Sequence, residues 1–170
     1  MSAITLNYTT IEELATTTLQ RLNVEHPYQL NIESICTREN IDYMKGRTSV
    51  FANFNNYKMI SINKNKDYKQ QHYEFLHEYA HFILRHHEEP TLPESVKEIE
   101  ARRLALCLAV PHTMFHFLDF SSENLLFEMS DLFDTPLNIC MDRCDLIQSN
   151  VVYYPFFSET KNIRSERRTI

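Results

Sequence analysis

Two histidines four residues apart, with a glutamate directly after the first, form the stretch His77-Glu78-Tyr79-Ala80-His81. On a helix this H-E-x-x-H spacing puts both imidazoles on one face, one turn apart, in reach of a single metal ion. Glu78 lies beside them, where a carboxylate can take a proton from water activated at the metal. The surrounding run Phe75 to Leu84 is apolar almost all round, as expected of a buried helix. Two imidazoles and a carboxylate in such a helix are costly unless something satisfies them, and a metal with its water would do so. His72, His86 and His87 flank the motif and read as solvated histidines near helix ends. Catalytic zinc takes three protein ligands and leaves one position open, so a third ligand must come from elsewhere.

The next helical segment holds Glu94, Glu98 and Glu100. Close approach of two helices needs small residues, and Ala101, Ala105 and Ala109 form an alanine stripe at i, i+4, i+8. Glu98 lies on that stripe, whereas Glu100 falls on the neighbouring apolar strip with Leu104 and Leu108. Spacing alone leaves both as candidate ligands. An oxyanion formed in the reaction would need a further donor, for which His112, Tyr153 and Tyr154 are available.

The elements that must position these residues can be read along the chain. Thr10-Ile11-Glu12-Glu13 has the form of a capping box, opening a helix with Ile11, Leu14, Ala15, Leu19 and Leu22 on one face. After His26-Pro27, Ile32 to Cys36 reads as a short second helix. Ile41 to Lys45, Val50 to Phe54 and Lys58 to Ile62 are short β-prone segments, with Gly46 and Asn55-Asn56 at the turns. They predict a small antiparallel meander. The motif helix follows, from about Tyr68 to His86. Thr91-Leu92-Pro93-Glu94 is a second capping-box pattern, and its helix runs to about Val110, before Pro111. Ser122 to Phe133 and Pro136 to Ile147 complete the helices, with Thr135 as N-cap of the last. The expected fold is a mainly helical α+β single domain over residues 1–150, with residues 151–170 as a C-terminal tail.

Composition narrows the function classes. A chain of 170 residues supports one domain with a real core. The formal charge of −6 argues against general nucleic-acid affinity, and a single glycine excludes a phosphate-cradling glycine loop. The longest apolar run is far short of a membrane span, and the first residues show no basic region followed by an apolar stretch. A cytoplasmic location is the expectation. Cys36, Cys107, Cys140 and Cys144 then read as buried thiols rather than disulfides, and the Cys140–Cys144 pair lacks partners for a zinc site.

H-E-x-x-H followed by Glu98-Ile-Glu-Ala101-Arg-Arg-Leu-Ala105-Leu-Cys-Leu-Ala-Val-Pro111 resembles the ImmA/IrrE family of metallopeptidases. The preceding order of helix, proline, short helix and strands ending in Ile60-Ser61-Ile62-Asn63 is similar too. So are Leu132-Phe133 and Arg143, which fall where the family has a helical hairpin. The resemblance spans residues 10 to 150, with Ala80 in place of the usual glycine and Val110 in place of a common methionine. It implies a zincin-like domain binding one Zn2+, or another divalent metal, with His77, His81 and Glu98 as ligands and Glu78 as catalytic base. Glu98 is the acid that stands three before the alanine, as in the family pattern. The implied activity is site-specific endopeptidase cleavage of a helix-turn-helix transcriptional repressor of a mobile element, prophage or stress regulon. A second reading is a non-catalytic metal-containing protein that binds and inhibits such a repressor. Structural zinc sites usually lack an adjacent general base, so Glu78 favours catalysis. A third reading, direct DNA binding through the hairpin Ser122 to Ile147, fares poorly because Arg143 is flanked by Asp142 and Asp145.

Overall fold

The computed structural model describes residues 8–149. Six helices and three strands occur in the order α1 (Tyr8–Arg21), α2 (Ile32–Glu39), β1 (Asp42–Gly46), β2 (Val50–Phe54), β3 (Tyr57–Asn63), α3 (Tyr68–Ile83), α4 (Glu94–Ala109), α5 (Leu125–Leu132) and α6 (Leu137–Ser149). The mainly helical α+β domain expected from the sequence is what forms. None of the described helices is long and apolar enough to cross a membrane.

Helix α4 is the axis of the packing, touching α3, α1 and α6. Its C-terminal half is buried nearly all round, with Leu104, Ala105, Cys107, Leu108 and Ala109 at 0–1% exposure. The alanine stripe does what its spacing implies. Ala101 and Ala105 are buried, as is Ala80 of α3, so the two helices approach closely where the motif lies. Helix α3 opens with Asp67, whose side chain accepts from Gln70 N at 2.9 Å. Phe75, Leu76, Tyr79 and Ala80 face the core, which leaves the other side of α3 half-open for His77, Glu78 and His81. Tyr79 also fastens the inner face, donating from its hydroxyl to the buried Glu39 carboxylate at 2.5 Å. Burial alone would raise that carboxyl. Hydrogen bonds from Arg21 and Tyr79 outweigh it and hold the group below its ordinary value.

The antiparallel meander is corrected by the strand pairing. The order is β1-β3-β2, with β2 antiparallel and β1 parallel to β3. Asn55 and Asn56 do form the hairpin turn between β2 and β3, both at positive φ, the conformation such turns require. Between β1 and β2 no hairpin forms. Residues 47–49 cross over the end of β3, where Ser61 Oγ donates to Thr48 O (3.1 Å) and Asn63 N donates to Ser49 Oγ (3.1 Å). The central strand, β3, is the most deeply buried of the three, with Ile60 and Ile62 at 0% exposure. Both of its edges are paired.

Gly46 leaves room for the Ser61 hydroxyl at this crossing. A Cβ at that position would stand 2.3 Å from Ser61 Oγ. Gly46→Ala must therefore turn the serine hydroxyl off Thr48 O, a loss of about 1 kcal/mol in chemical denaturation. The same substitution in a Ser61→Ala background is expected to cost less. Equal costs in the two backgrounds would locate the strain elsewhere.

Helix starts depart from the sequence reading at three places. Thr10 lies inside α1, α4 is capped by Pro93 without a side-chain bond, and Thr135 Oγ1 donates to Phe133 O instead of capping α6. Backbone position, and not residue type, decides whether a threonine caps. The four cysteines are free and buried as expected. Burial pushes the Cys36 and Cys140 thiols up to about 12, which removes them as nucleophiles.

Candidate metal centre

The open face of α3 and the first turns of α4 bring three donors to one point. His77 Nε2 lies 3.1 Å from Glu98 Oε2, His81 Nε2 lies 3.2 Å from Glu98 Oε1, and the two Nε2 atoms are 3.2 Å apart. Helical spacing accounts for the two imidazoles, and the close α3–α4 contact through alanines accounts for Glu98. His77 and His81 are half-buried while Glu98 is 52% exposed, so the cluster opens to solvent on the α4 side. Its dimensions suit a small divalent ion: tetrahedral sites with bonds of about 2.0–2.1 Å have donor–donor edges of about 3.3 Å. Two imidazoles and one carboxylate are also the donor set of a catalytic zinc site with an open position.

The charge states agree with ligand chemistry. Burial, with His77 next in strength, pushes the His81 imidazole down to about 4, so it is neutral and has a lone pair to give near pH 7. Glu78 lies between α3 and β2, where its Oε2 accepts from Phe51 N at 2.9 Å. Burial pushes its carboxyl up to about 7, opposed by the Phe51 amide and reinforced by Glu98 and Glu74. A carboxylate near neutrality is suited to general acid–base work at physiological pH. Phe51 supplies this amide from β2, a contact that the sequence did not reveal.

A model of the Peptidase_M78 family, the IrrE N-terminal-like domain, matches residues 36–128. The chain belongs to this family. The Peptidase_M78 match runs from α2 into α5 and so contains His77, Glu78, His81 and Glu98, whereas α1 and α6 lie outside it. Peptidase_M78 is a metallopeptidase family, which carries a peptidase role and a metal cofactor with it. No curated protein matches the chain.

Other residues singled out in the sequence take different places. Glu100 is not at the cluster: it is buried, and its Oε2 lies 3.4 Å from His86 Nε2. His86, expected to be solvated, is 5% exposed, with its Nδ1 2.9 Å from His81 Nδ1. The chain brings it there because Arg85 adopts a left-handed conformation (φ 56°) at the end of α3, reversing the backbone into a short 3-10 turn over His86–Glu88. His72 is also buried, between the carbonyl oxygens of Leu30 and Asp134, while His87 meets Asn53 and Phe51. His112 lies past the opposite end of α4 from Glu98 and pairs with Glu12 at 3.1 Å, which removes it as an oxyanion donor. Tyr153 and Tyr154 are outside the described residues. Arg143 is wholly buried on Glu12, so it cannot serve as the phosphate contact that a DNA-binding hairpin would need.

Proposed function

We propose that this member of the Peptidase_M78 family is a site-specific zinc metallo-endopeptidase. In this reading His77, His81 and Glu98 hold one zinc ion and Glu78 is the general acid–base. The observation that carries it is the convergence of the three donors to within 4.8 Å of one another, beside a half-buried carboxylate. Zinc would supply a Lewis acid for the scissile carbonyl and lower the pKa of water to about 7. Glu78, held by the Phe51 amide, accepts the proton of the attacking water and returns it to the leaving amine nitrogen. His81, kept neutral by burial, stays a ligand throughout the physiological range. The substrate we propose is a helix-turn-helix transcriptional repressor of a mobile element, prophage or stress regulon, met in the cytoplasm.

The test is to load the purified protein with one equivalent of zinc and incubate it with purified helix-turn-helix repressors from the same cell. A single specific cut, lost on chelation and restored by zinc, is expected. A zinc-loaded protein that leaves every such repressor whole would refute the substrate assignment. The ligand set has a separate check in thermal melting. Zinc at about a thousand times its dissociation constant should stabilise the wild type by about 4 kcal/mol. His81→Ala should lose nearly all of this shift, and an unchanged shift would remove His81 from the ligand set.

A further inference from the structure

We infer that Glu100 and His86 are positioning residues that fix the tautomer of His81, so that its Nε2 lone pair faces the metal. The inference rests on the metal centre proposed above. His81 points Nε2 at Glu98 and His77, and Nδ1 at His86 Nδ1, 2.9 Å away. The far side of His86, Nε2, lies 3.4 Å from Glu100 Oε2. An ionised carboxylate only accepts, so His86 Nε2 must carry the proton and His86 Nδ1, in the neutral ring, must accept. The one donor that can face that acceptor is His81 Nδ1–H, which reserves His81 Nε2 for the metal that it would share with Glu98, whose Oε1 lies 3.2 Å away. The three groups thus form a directional chain from a buried carboxylate to a ligand nitrogen, with His86 interposed where metal-binding histidines often meet a carboxylate directly. His86 and Glu100 are 5% exposed each, so water does not compete for these bonds. Glu98 and Glu100 then divide two tasks, the first at the metal and the second behind it.

The experiment has a readout without metal and one with it. In the metal-free wild type, nitrogen-15 NMR of labelled histidines should show His86 protonated at Nε2, leaving its Nδ1 to accept from His81. Protonation of His86 at Nδ1 overturns the inference, whatever any variant does. Zinc dissociation constants from chelator competition should rise about 10- to 100-fold for Glu100→Ala and for His86→Phe. Glu100→Gln keeps an acceptor for His86 and should recover most of the affinity. Because the chain acts as a unit, the double variant His86→Phe/Glu100→Ala should bind no worse than either single variant. Additive losses, or a Glu100→Ala affinity equal to wild type, overturn the positioning role. Wild type that takes up no zinc refutes the metal centre and this inference together; wild type that binds, beside variants that bind equally well, refutes this inference alone.

Discussion

Glu78→Gln is expected to abolish cleavage while leaving the metal in place. Removing a positioned general acid–base group typically costs about 10²- to 10⁴-fold in rate. None of the three donors is touched by the change, so zinc content should stay at one equivalent. The substitution is nearly isosteric, and its amide oxygen can still accept from Phe51 N, the contact Glu78 Oε2 makes at 2.9 Å. Stability separates a chemical defect from a folding one. In the metal-free protein the Glu78 carboxyl is raised from 4.5 to about 7, chiefly by burial. A raised folded value means that the stabilising contribution of the protonated form is full below the unfolded value and is lost as pH rises through about 7. At about pH 8 the metal-free wild type therefore bears a buried charge that glutamine does not. Metal-free Glu78→Gln should accordingly melt at or above wild type at that pH, the gap closing toward about pH 5. Zinc-loaded Glu78→Gln that still cuts at the wild-type rate would take Glu78 out of the chemistry. The non-catalytic reading would then become the better one.

How far the site could be read from the chain depended on how local each contact is. His77, Glu78 and His81 are related by helical spacing alone, and α3 holds them as that spacing requires. Glu98 was legible at one remove: the alanine stripe implied a close helix pair, and the family pattern chose between two acids that spacing left open. Glu100 and His86 were not legible, because their meeting depends on a left-handed residue at Arg85, and nothing in an arginine announces that conformation. The parallel pairing of β1 was hidden for a similar reason. Three residues between two strands suggest a hairpin, whereas burial of Ile60 and Ile62 between both neighbours favours the crossover. The threonine caps failed because a capping side chain works only at one backbone position.

Glu12 and Arg143 lie farthest from anything the sequence could pair, 131 positions apart, and their disruption is expected to be the largest purely structural effect in the molecule. Both side chains are at 0% exposure. Arg143 Nη1 donates to Glu12 Oε1 at 2.5 Å, and Arg143 Nε donates to Val110 O at 2.9 Å. Its guanidinium lies over the Phe115 ring, and the other Glu12 oxygen meets His112 Nδ1 at 3.1 Å. One pair thus ties α1 and α6, the two helices outside the family match, to the end of the helix that carries Glu98. Bringing both charges out of water is expensive, so the intact pair need not be a net gain; removing one partner strands the other and costs about 3–5 kcal/mol. For a chain of this size each kcal/mol lowers the melting temperature by about 2–4 °C, so Arg143→Met or Glu12→Gln should melt roughly 6–20 °C below wild type. Arg143→Lys should not rescue, because an ammonium cannot donate from two fixed directions to Glu12 and Val110 O. The double variant Glu12→Leu/Arg143→Met, which strands no charge, should recover most of the loss. Below its melting transition each single variant should keep the zinc affinity of wild type, since the pair is at the other end of α4 from the donors. Arg143→Met melting within about 2 °C of wild type would mean that the buried charges are not the tie that holds α6.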